Sequence, residues 1–362
     1  MAENVLSRIA RLEFAPPRYL TLPAAGIDIS ASGVKLALLN EHVHGIELAA
    51  FGEERLLPGA ITGGEITDRA AVGNAIRALV RAHRVKFANI ALPEARSYLF
   101  EADVPGKGVA EWRTAVESHL DEYVPLPPAE VTFDIACLSS RKEKAQIVGV
   151  GYARRVIEET LSLFDEVGVE VRSIESETFS APRALLPHGD KGTALIIDIG
   201  RTTTKLIIVS GRIPRFATTL EIGGHALTLA VQKHFGVTEE EAKRVKAERG
   251  LVSGEANDEY IAAMLSTVSV IREEIVRRLD YWQTRTASAN VHDPVTRAIL
   301  VGGNATVRGL SEYLETSLKI PVELGDVFTN LASRDHWLPP LDYLESLAYA
   351  PAIGLALREY VP

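Results

Sequence analysis

Two segments whose aspartates lie 170 positions apart read almost alike. Gly26–Leu39 is GIDISASGVKLALL and Ile197–Val209 is IDIGRTTTKLIIV. Aligned on Asp28 and Asp198, residues Ile27, Ile29, Lys35 and Leu36 match Ile197, Ile199, Lys205 and Leu206. In each copy an apolar strand ends in an acid, a tight turn of small or hydroxyl residues follows, and a second apolar strand begins. Such a turn can aim successive backbone N–H groups at an anion, and small residues let a phosphate approach the backbone closely. The repeat predicts two related halves, each presenting a hairpin to one cleft, with a nucleotide as the leading ligand.

A chain of 362 residues, 46% hydrophobic, predicts two or three domains and a sizeable core. The net charge of −9 counts against non-specific nucleic-acid binding, which uses a basic face. The single cysteine, Cys137, excludes an intrachain disulfide. Its alternating context, VTFDIACL, predicts a strand with a buried thiol. No apolar run reaches the ~18 residues of a membrane span, and the N-terminus lacks a signal-peptide core. These features point to a soluble cytoplasmic protein.

Residues 4–14 predict an amphipathic helix stopped by Pro16 and Pro17. It is left open whether that helix docks on its own domain, a partner or a membrane. Strands are expected at 25–39 and 45–52, and Thr67-Asp68 cap a helix at Ala70–His83. The stretch 87–175 reads as an inserted α+β domain. Its strands are expected at 88–92, 97–103, 131–138, 145–151 and 169–174, its helices at 109–122 and 154–167. The remaining divisions are a first lobe at 1–86, a connecting helix and link at 176–191, a second lobe at 192–345 with a helical part at about 223–295, and a closing helix at 346–362. Leu265, Val268, Ile271, Ile275 and Leu279 predict the packed face of a helix at 259–283.

The second turn, with Gly200, Thr202, Thr203 and Thr204, makes the fuller phosphate nest; Ser30, Ser32 and Gly33 make a poorer one. Asp28 and Asp198 are expected to hold Mg²⁺ through waters, since that ion prefers oxygen ligands and keeps much of its hydration. Lys35 and Lys205 stand at equivalent places, either as solvated strand residues or as charges near the cleft mouth. Gly302-Gly303 follows the apolar strand AILV and is expected to open a helix at 305–318, a unit that lets a nucleotide approach the backbone. Asn304 tolerates a left-handed conformation. The nine histidines show no metal-ligand spacing and Cys137 has no CxxC partner, so no zinc site is expected. Neither GxSxG nor a Walker loop is present.

In this order, the Asp28 hairpin, the Asp198 hairpin and the Gly302-Gly303 turn resemble the phosphate-1, phosphate-2 and adenosine motifs of the actin-like ATPase superfamily. The resemblance implies an α/β, two-lobed actin-like (ribonuclease H-like) fold with a small inserted α+β domain. Glu175, in SIESETFSAPRALL, is similar to the acid of the first connecting helix, which positions magnesium and water, so the implied catalytic set is Asp28, Glu175 and Asp198. Ala350–Leu357, APAIGLAL, resembles the second connecting helix. Gly223, Gly224, Lys35, Lys243, Lys246, Gly302, Gly303 and Asn304 complete the implied nucleotide site. Three positions depart from the pattern: Ser30 and Asn304 replace glycines, and Lys243 in EEEAKRVK stands where a glutamate is expected, while Lys246 matches.

Within the superfamily, Leu57–Val80 (LPGAITGGEITDRAAVGNAIRALV), ILVGGNATVRGLSEYLETSLKIPVELGDVF and PAIGLALRE are similar to the PilM family of type IV pilus assembly proteins. That resemblance implies ATP and Mg²⁺ between the lobes, with slow or absent turnover. It implies a place on the cytoplasmic face of the inner membrane, held there indirectly through partners. The implied partner is the N-terminal tail of the membrane protein PilN, captured in a groove involving the inserted domain; a pilus motor ATPase and self-association are further contacts. A polymerising division protein like FtsA is the alternative, but FtsA carries a C-terminal amphipathic helix, and here only Arg358–Pro362 follow the closing helix. A sugar or acetate kinase needs an acceptor pocket and a placed base, for which the inserted stretch shows no pattern.

Overall fold

The computed structural model describes residues 23–252, 257–288 and 293–360; the helix expected at 4–14 lies outside them. The repeated segments build matching halves. In the first, β1 (Ala25–Ser30), β2 (Gly33–His42) and β3 (Gly45–Arg55) form an antiparallel meander. Two further strands, β4 (Phe87–Leu92) and β8 (Glu170–Ser176), extend it in parallel, in the order β8-β4-β1-β2-β3. In the second, β9 (Thr193–Ile199), β10 (Thr204–Ser210) and β11 (Ile213–Leu220) repeat the meander. Strands β12 (Arg297–Val301) and β13 (Val322–Leu324) extend it in the same sense. Asp28 lies opposite Lys35 in the first ladder and Asp198 opposite Lys205 in the second. Each acid–lysine pair therefore shares one face of its sheet.

Between β4 and β8 the chain leaves the sheet. It forms β5 (Ser97–Pro105), α2 (Val109–Glu117), β6 (Val131–Arg141) and β7 (Lys144–Ala153), a three-stranded antiparallel unit ordered β5-β7-β6 with its own small core. It returns through α3 (Arg154–Val167), which ends at Gly168 in the left-handed conformation that glycine adopts without strain. The separate unit is thus narrower than 87–175. The flanking strands β4 and β8 are a parallel pair of the first lobe, and α3 packs on α1 (Arg69–Ala82) of that lobe. Alternating strands read the same in lobe and insert, so periodicity alone does not divide them.

Three local expectations change. The helix expected at 109–122 stops at Glu117 and resumes as a single turn at Leu120–Tyr123. On α7 (Asp258–Ser288) the packed face is Tyr260, Met264, Val268, Ile271, Ile275, Leu279 and Trp282, while Leu265 is exposed. Cys137 is exposed rather than buried: β6 is an edge strand, and burial falls along it from Val131 through Phe133 and Ile135.

The lobes meet through two crossing helices, α4 (Glu177–Leu185) and α9 (Ala350–Ala356). Ser176 caps α4, its hydroxyl accepting from the Thr178 N–H. The crossing is too close for a side chain: a Cβ at Gly354 would sit 1.8 Å from the Ser180 carbonyl oxygen, and one at Gly26 1.9 Å from that of Ala352. Asn89 ties β4 to the same helix through the Leu355 carbonyl at 3.2 Å. The insert is also held to the second lobe, where Glu101 pairs with Arg215 of β11 and with Arg285 of α7 at 3.0 Å. Gly354→Ala should lower the stability of the whole chain by about 1–3 kcal/mol, the usual cost of overpacking. A reduced urea midpoint checks this, and an unchanged midpoint would show that the helices do not cross so closely.

Candidate functional site

The two hairpins end at one cleft of ≈ 420 Å³, within the range of small-molecule sites. Asp28, Ser30, Ser32 and Lys35 line it from the first lobe, and Asp198, Gly200, Thr202, Thr203 and Lys205 from the second. Gly224, Lys243, Lys246, Gly302, Gly303 and Asn304 complete the wall. The structure thus brings together most of the residues singled out in the sequence.

Four others serve elsewhere. Gly33 and Gly223 are packing glycines: a Cβ would lie 2.5 Å from the Glu54 carbonyl oxygen and 2.7 Å from the Thr203 nitrogen, respectively. Thr204 is buried and donates to the Ile222 carbonyl at 2.7 Å. Glu175 is clamped by Arg183 at 2.6 and 2.8 Å and by Arg358, away from the cleft. The acid that reaches the hairpins is Glu177, the first residue of α4. Its Oε2 accepts from Lys205 Nζ at 2.5 Å and its Oε1 from the Glu94 N–H at 2.7 Å. The signal available for it in the sequence was its place one residue after the Ser176 cap, at the helix N-terminus.

The second hairpin is the better braced. Gly200 donates its N–H to the Thr203 carbonyl at 2.9 Å, and its carbonyl accepts from Gly224 N–H at 3.0 Å and Asn304 Nδ2 at 2.9 Å. Its first amide is therefore engaged within the turn, although Gly200, Arg201, Thr202 and Thr203 all line the cleft. The first hairpin is tied by Ser30, whose hydroxyl donates to the Gly33 carbonyl at 3.1 Å and bonds that of Ser32 at 2.9 Å. Asn304 reaches into the space above Gly224, where a Cβ would fall 1.9 Å from its Oδ1. Gly302 is left-handed (φ +90°), and a Cβ there would meet Asp198 Oδ1 at 2.3 Å. No helix starts at Asn304 or Ala305; turns run to Gly309, and α8 begins at Leu310 and ends at Leu318. A ligand at Gly302-Gly303 therefore meets open backbone, and the helix N-terminus expected there is five residues too far along.

Charge is concentrated at the centre. Asp28 is buried and its Oδ1 has no hydrogen-bond partner. Burial pushes its pKa up to about 6; Lys205 and Lys35 oppose that, while Glu177 and Asp198 add to it. Burial likewise raises Asp198. Burial alone would lower Lys205, but Glu177, Asp198 and Asp28 outweigh it and hold the ammonium protonated. Lys35 instead turns to Glu53 at 3.2 Å. Lys246 donates to Asn304 Oδ1 at 2.7 Å, to the Gly224 carbonyl at 3.2 Å and to Thr228 at 3.3 Å, and burial with nearby Lys243 lowers it to about 8. Lys243 sits at the rim, paired with Glu239 at 2.9 Å.

A hydrated divalent cation fits this donor set. The unpartnered Asp28 oxygen and Asp198 approach from opposite lobes, and among the described residues no group of three His, Cys, Asp or Glu forms a cage by itself. Mg²⁺ bound through waters needs no such cage.

Two lobes of repeated topology, crossed by two helices and closing on paired acid-ended hairpins, define the actin-like ATPase fold. The chain is similar to MreB5 of Spiroplasma citri bound to ADP, at 16% identity and TM-score 0.53, over 86% of this chain and 93% of that one. It is also similar to the ethanolamine utilization protein EutJ of Carboxydothermus hydrogenoformans, at 15% identity and TM-score 0.53, over 94% and 90% of the two chains. A model of the family "type IV pilus assembly protein PilM" matches residues 26–360, and the chain belongs to that family. The PilM–PilN type IV pilus biogenesis complex matches at 22% identity and TM-score 0.78, over 94% of this chain and 99% of that one. Among the described residues no helix is long and apolar enough to cross a membrane.

The Asp28 environment sets a pH dependence. Its folded pKa of about 6 lies above the ordinary value of 3.8, so the folded state holds the proton more tightly. Stability is then fullest below pH 4 and is lost as pH rises through 6. At about 1.4 kcal/mol per pKa unit the loss is roughly 3 kcal/mol. Asp28→Asn should therefore stabilise the ligand-free protein at pH 8 relative to pH 4, read from thermal unfolding at both; an equal effect at the two pH values would contradict this origin.

Proposed function

We propose that this chain is an ATP-binding scaffold of the type IV pilus assembly platform, recruiting the N-terminal tail of a PilN-like membrane protein with a nucleotide-dependent conformation. The observation that carries the nucleotide half is the pair of repeated aspartates lining one cleft, one with an unsatisfied buried oxygen, beside the open Gly302-Gly303 backbone. The hairpin turns would take the phosphates, Asp28 and Asp198 the hydrated Mg²⁺, and the wall of Gly224, Lys246, Gly302 and Gly303 the nucleoside. Bound Mg²⁺ would offset the charge of the triphosphate and of the aspartates. Lys205 and Lys35 supply fixed positive charge on opposite walls, and Glu177 holds Lys205 in place.

The partner half rests on a second groove of ≈ 350 Å³ at the root of the insert. Ile29, Ile61, Ile66, Leu92, Pro93 and Val156 give it an apolar floor, with Glu65, Arg69, Arg155 and Glu159 among its lining. This matches a short peptide with apolar anchors and polar flanks. In the similar solved complex PilM is bound to PilN, which supports a PilN-like tail as the occupant. The groove lies between the first lobe, α3 and the strip leading into β5, so recruitment here uses the base of the insert.

Calorimetric titration tests both halves. Mg-ATP should give saturable heat, and Asp198→Ala should weaken it roughly 10- to 100-fold, as for groups acting on a metal through a water layer. The same variant should not lower the ligand-free unfolding temperature of the parent, because the Asp198 carboxylate is penalised by burial; an equal loss of both would assign Asp198 to folding. Ile61→Asp should abolish capture of the PilN-like tail while Mg-ATP binding persists, and capture by that variant would remove the groove assignment.

A further inference from the structure

One carboxylate bonds a residue of the cleft on one side and the chain next to the apolar groove on the other. Glu177 is buried at the start of α4, where Ser176 ends β8 and caps the helix. Its Oε2 holds Lys205 Nζ, and Lys205 lines the cleft together with Asp28 and Asp198. Its Oε1 holds the N–H of Glu94, whose neighbours Leu92 and Pro93 are part of the wall of the apolar groove. The strip Leu92–Glu94 is fastened on its other atoms as well. Tyr152 of β7 donates to the Leu92 and Pro93 carbonyls at 3.3 and 3.2 Å. The Glu94 side chain accepts from Thr219 of β11, in the second lobe. Three elements thus converge on a strip of three residues, and the hold that reaches the cleft is Glu177.

We propose that Glu177 is the positioning residue that couples occupancy of the cleft to the shape of the peptide groove. This rests on the nucleotide reading given above and adds the residue through which it acts. Lys205 is bonded to Glu177 and lies in the field of Asp28 and Asp198. Bound Mg²⁺ would take up the charge of the two aspartates, and the phosphates would fix Lys205 from the cleft side while Glu177 holds it from the other. Glu177 is then held more firmly, and with it the amide of Glu94. Coupling requires an element whose state both sites bias, and by reciprocity a peptide that presses on Leu92 and Pro93 must change nucleotide affinity by the same factor. The link is short: Lys205, Glu177 and the Leu92–Glu94 strip connect the cleft to the groove wall.

Hydrogen exchange on the full chain, with Mg-ATP as the only ligand, tests the coupling. Each protein is studied at a nucleotide concentration that a calorimetric titration shows to be saturating. In the parent, Mg-ATP should slow exchange in peptides covering residues 92–96 by about fivefold or more, the lower end of ordinary allosteric coupling. In Glu177→Gln, which keeps an acceptor for the Glu94 N–H but loses the charge that holds Lys205, the slowing at 92–96 should vanish while the hairpin at 198–205 is still protected. Glu177→Asp, which keeps the charge but is too short to span both partners, gives the same reading if the glutamine variant does not fold. The proposal is overturned if Mg-ATP protects the hairpins of the parent without affecting 92–96, or if either variant keeps the response at 92–96. A parent titration without heat and without hairpin protection would overturn the nucleotide reading together with the coupling, and is distinguished from the first case by the hairpins themselves.

Discussion

Everything at the centre of this molecule is arranged around one ammonium group, that of Lys205. It is largely buried, and three carboxylates from three different elements compete for it: Asp28 from the first hairpin, Asp198 from the second and Glu177 from the connecting helix. In a poorly hydrated site such charges interact far more strongly than in water. One ammonium does not neutralise three carboxylates, and the symmetry-related Lys35 is drawn off to Glu53. Burial raises the affinity of Asp28 and Asp198 for protons, the other carboxylates add to it, and the lysines do not offset it. A pair of buried acids that hold protons this tightly is one that a divalent cation stabilises.

The two halves are related but not interchangeable. Their registers match, with Asp28 opposite Lys35 and Asp198 opposite Lys205. The loops differ: two residues separate Ser30 from Gly33, whereas Gly200 to Thr203 form a wider turn. The wider turn is fixed from outside, by the Gly224 amide and the Asn304 side chain. The narrower one is held by its own serine hydroxyls and by the Leu56 N–H, which donates to the Ser32 carbonyl at 3.1 Å. Asn304, a departure from glycine in the sequence pattern, therefore serves as a brace. It joins the second turn to Lys246 and to α5 (Gly224–Phe235), and Gly224 is the residue that leaves room for it.

The fold and most of the cleft were legible because the repeat is local. An acid at a strand end, a tight turn and a returning apolar strand are all written within about a dozen residues, and base-end glycines mark where backbone must stay open. What was not legible depends on residues far apart. Glu175 and Glu177 differ by two positions, and the sequence offered no reason to reject the first. Arg183 and Arg358, one of them from the far end of the chain, claim Glu175 and leave Glu177 for the cleft. The edges of the insert were hidden for a related reason. Strands β4 and β8 alternate like those of the insert, and only their pairing across some eighty residues assigns them to the first lobe. The short turn-rich stretch after Gly303 was missed because Ala305–Leu318 has apolar residues at helical spacing, while Gly309, left-handed at φ +77°, delays the helix to Leu310.

A centre so short of positive charge suits a hydrated divalent cation carrying a nucleotide, and the rest of the functional reading depends on that fit. The most direct measurement is a crystal structure of the chain with Mn²⁺ and a non-hydrolysable ATP analogue, with the metal located by its anomalous scattering. One metal peak is expected between Asp28 and Asp198, separated from both by a layer of water, with the phosphates against the Thr202–Thr203 turn and Lys205 still bonded to Glu177. Nucleotide bound with the metal elsewhere, or a cleft that stays empty at saturating analogue, would contradict it.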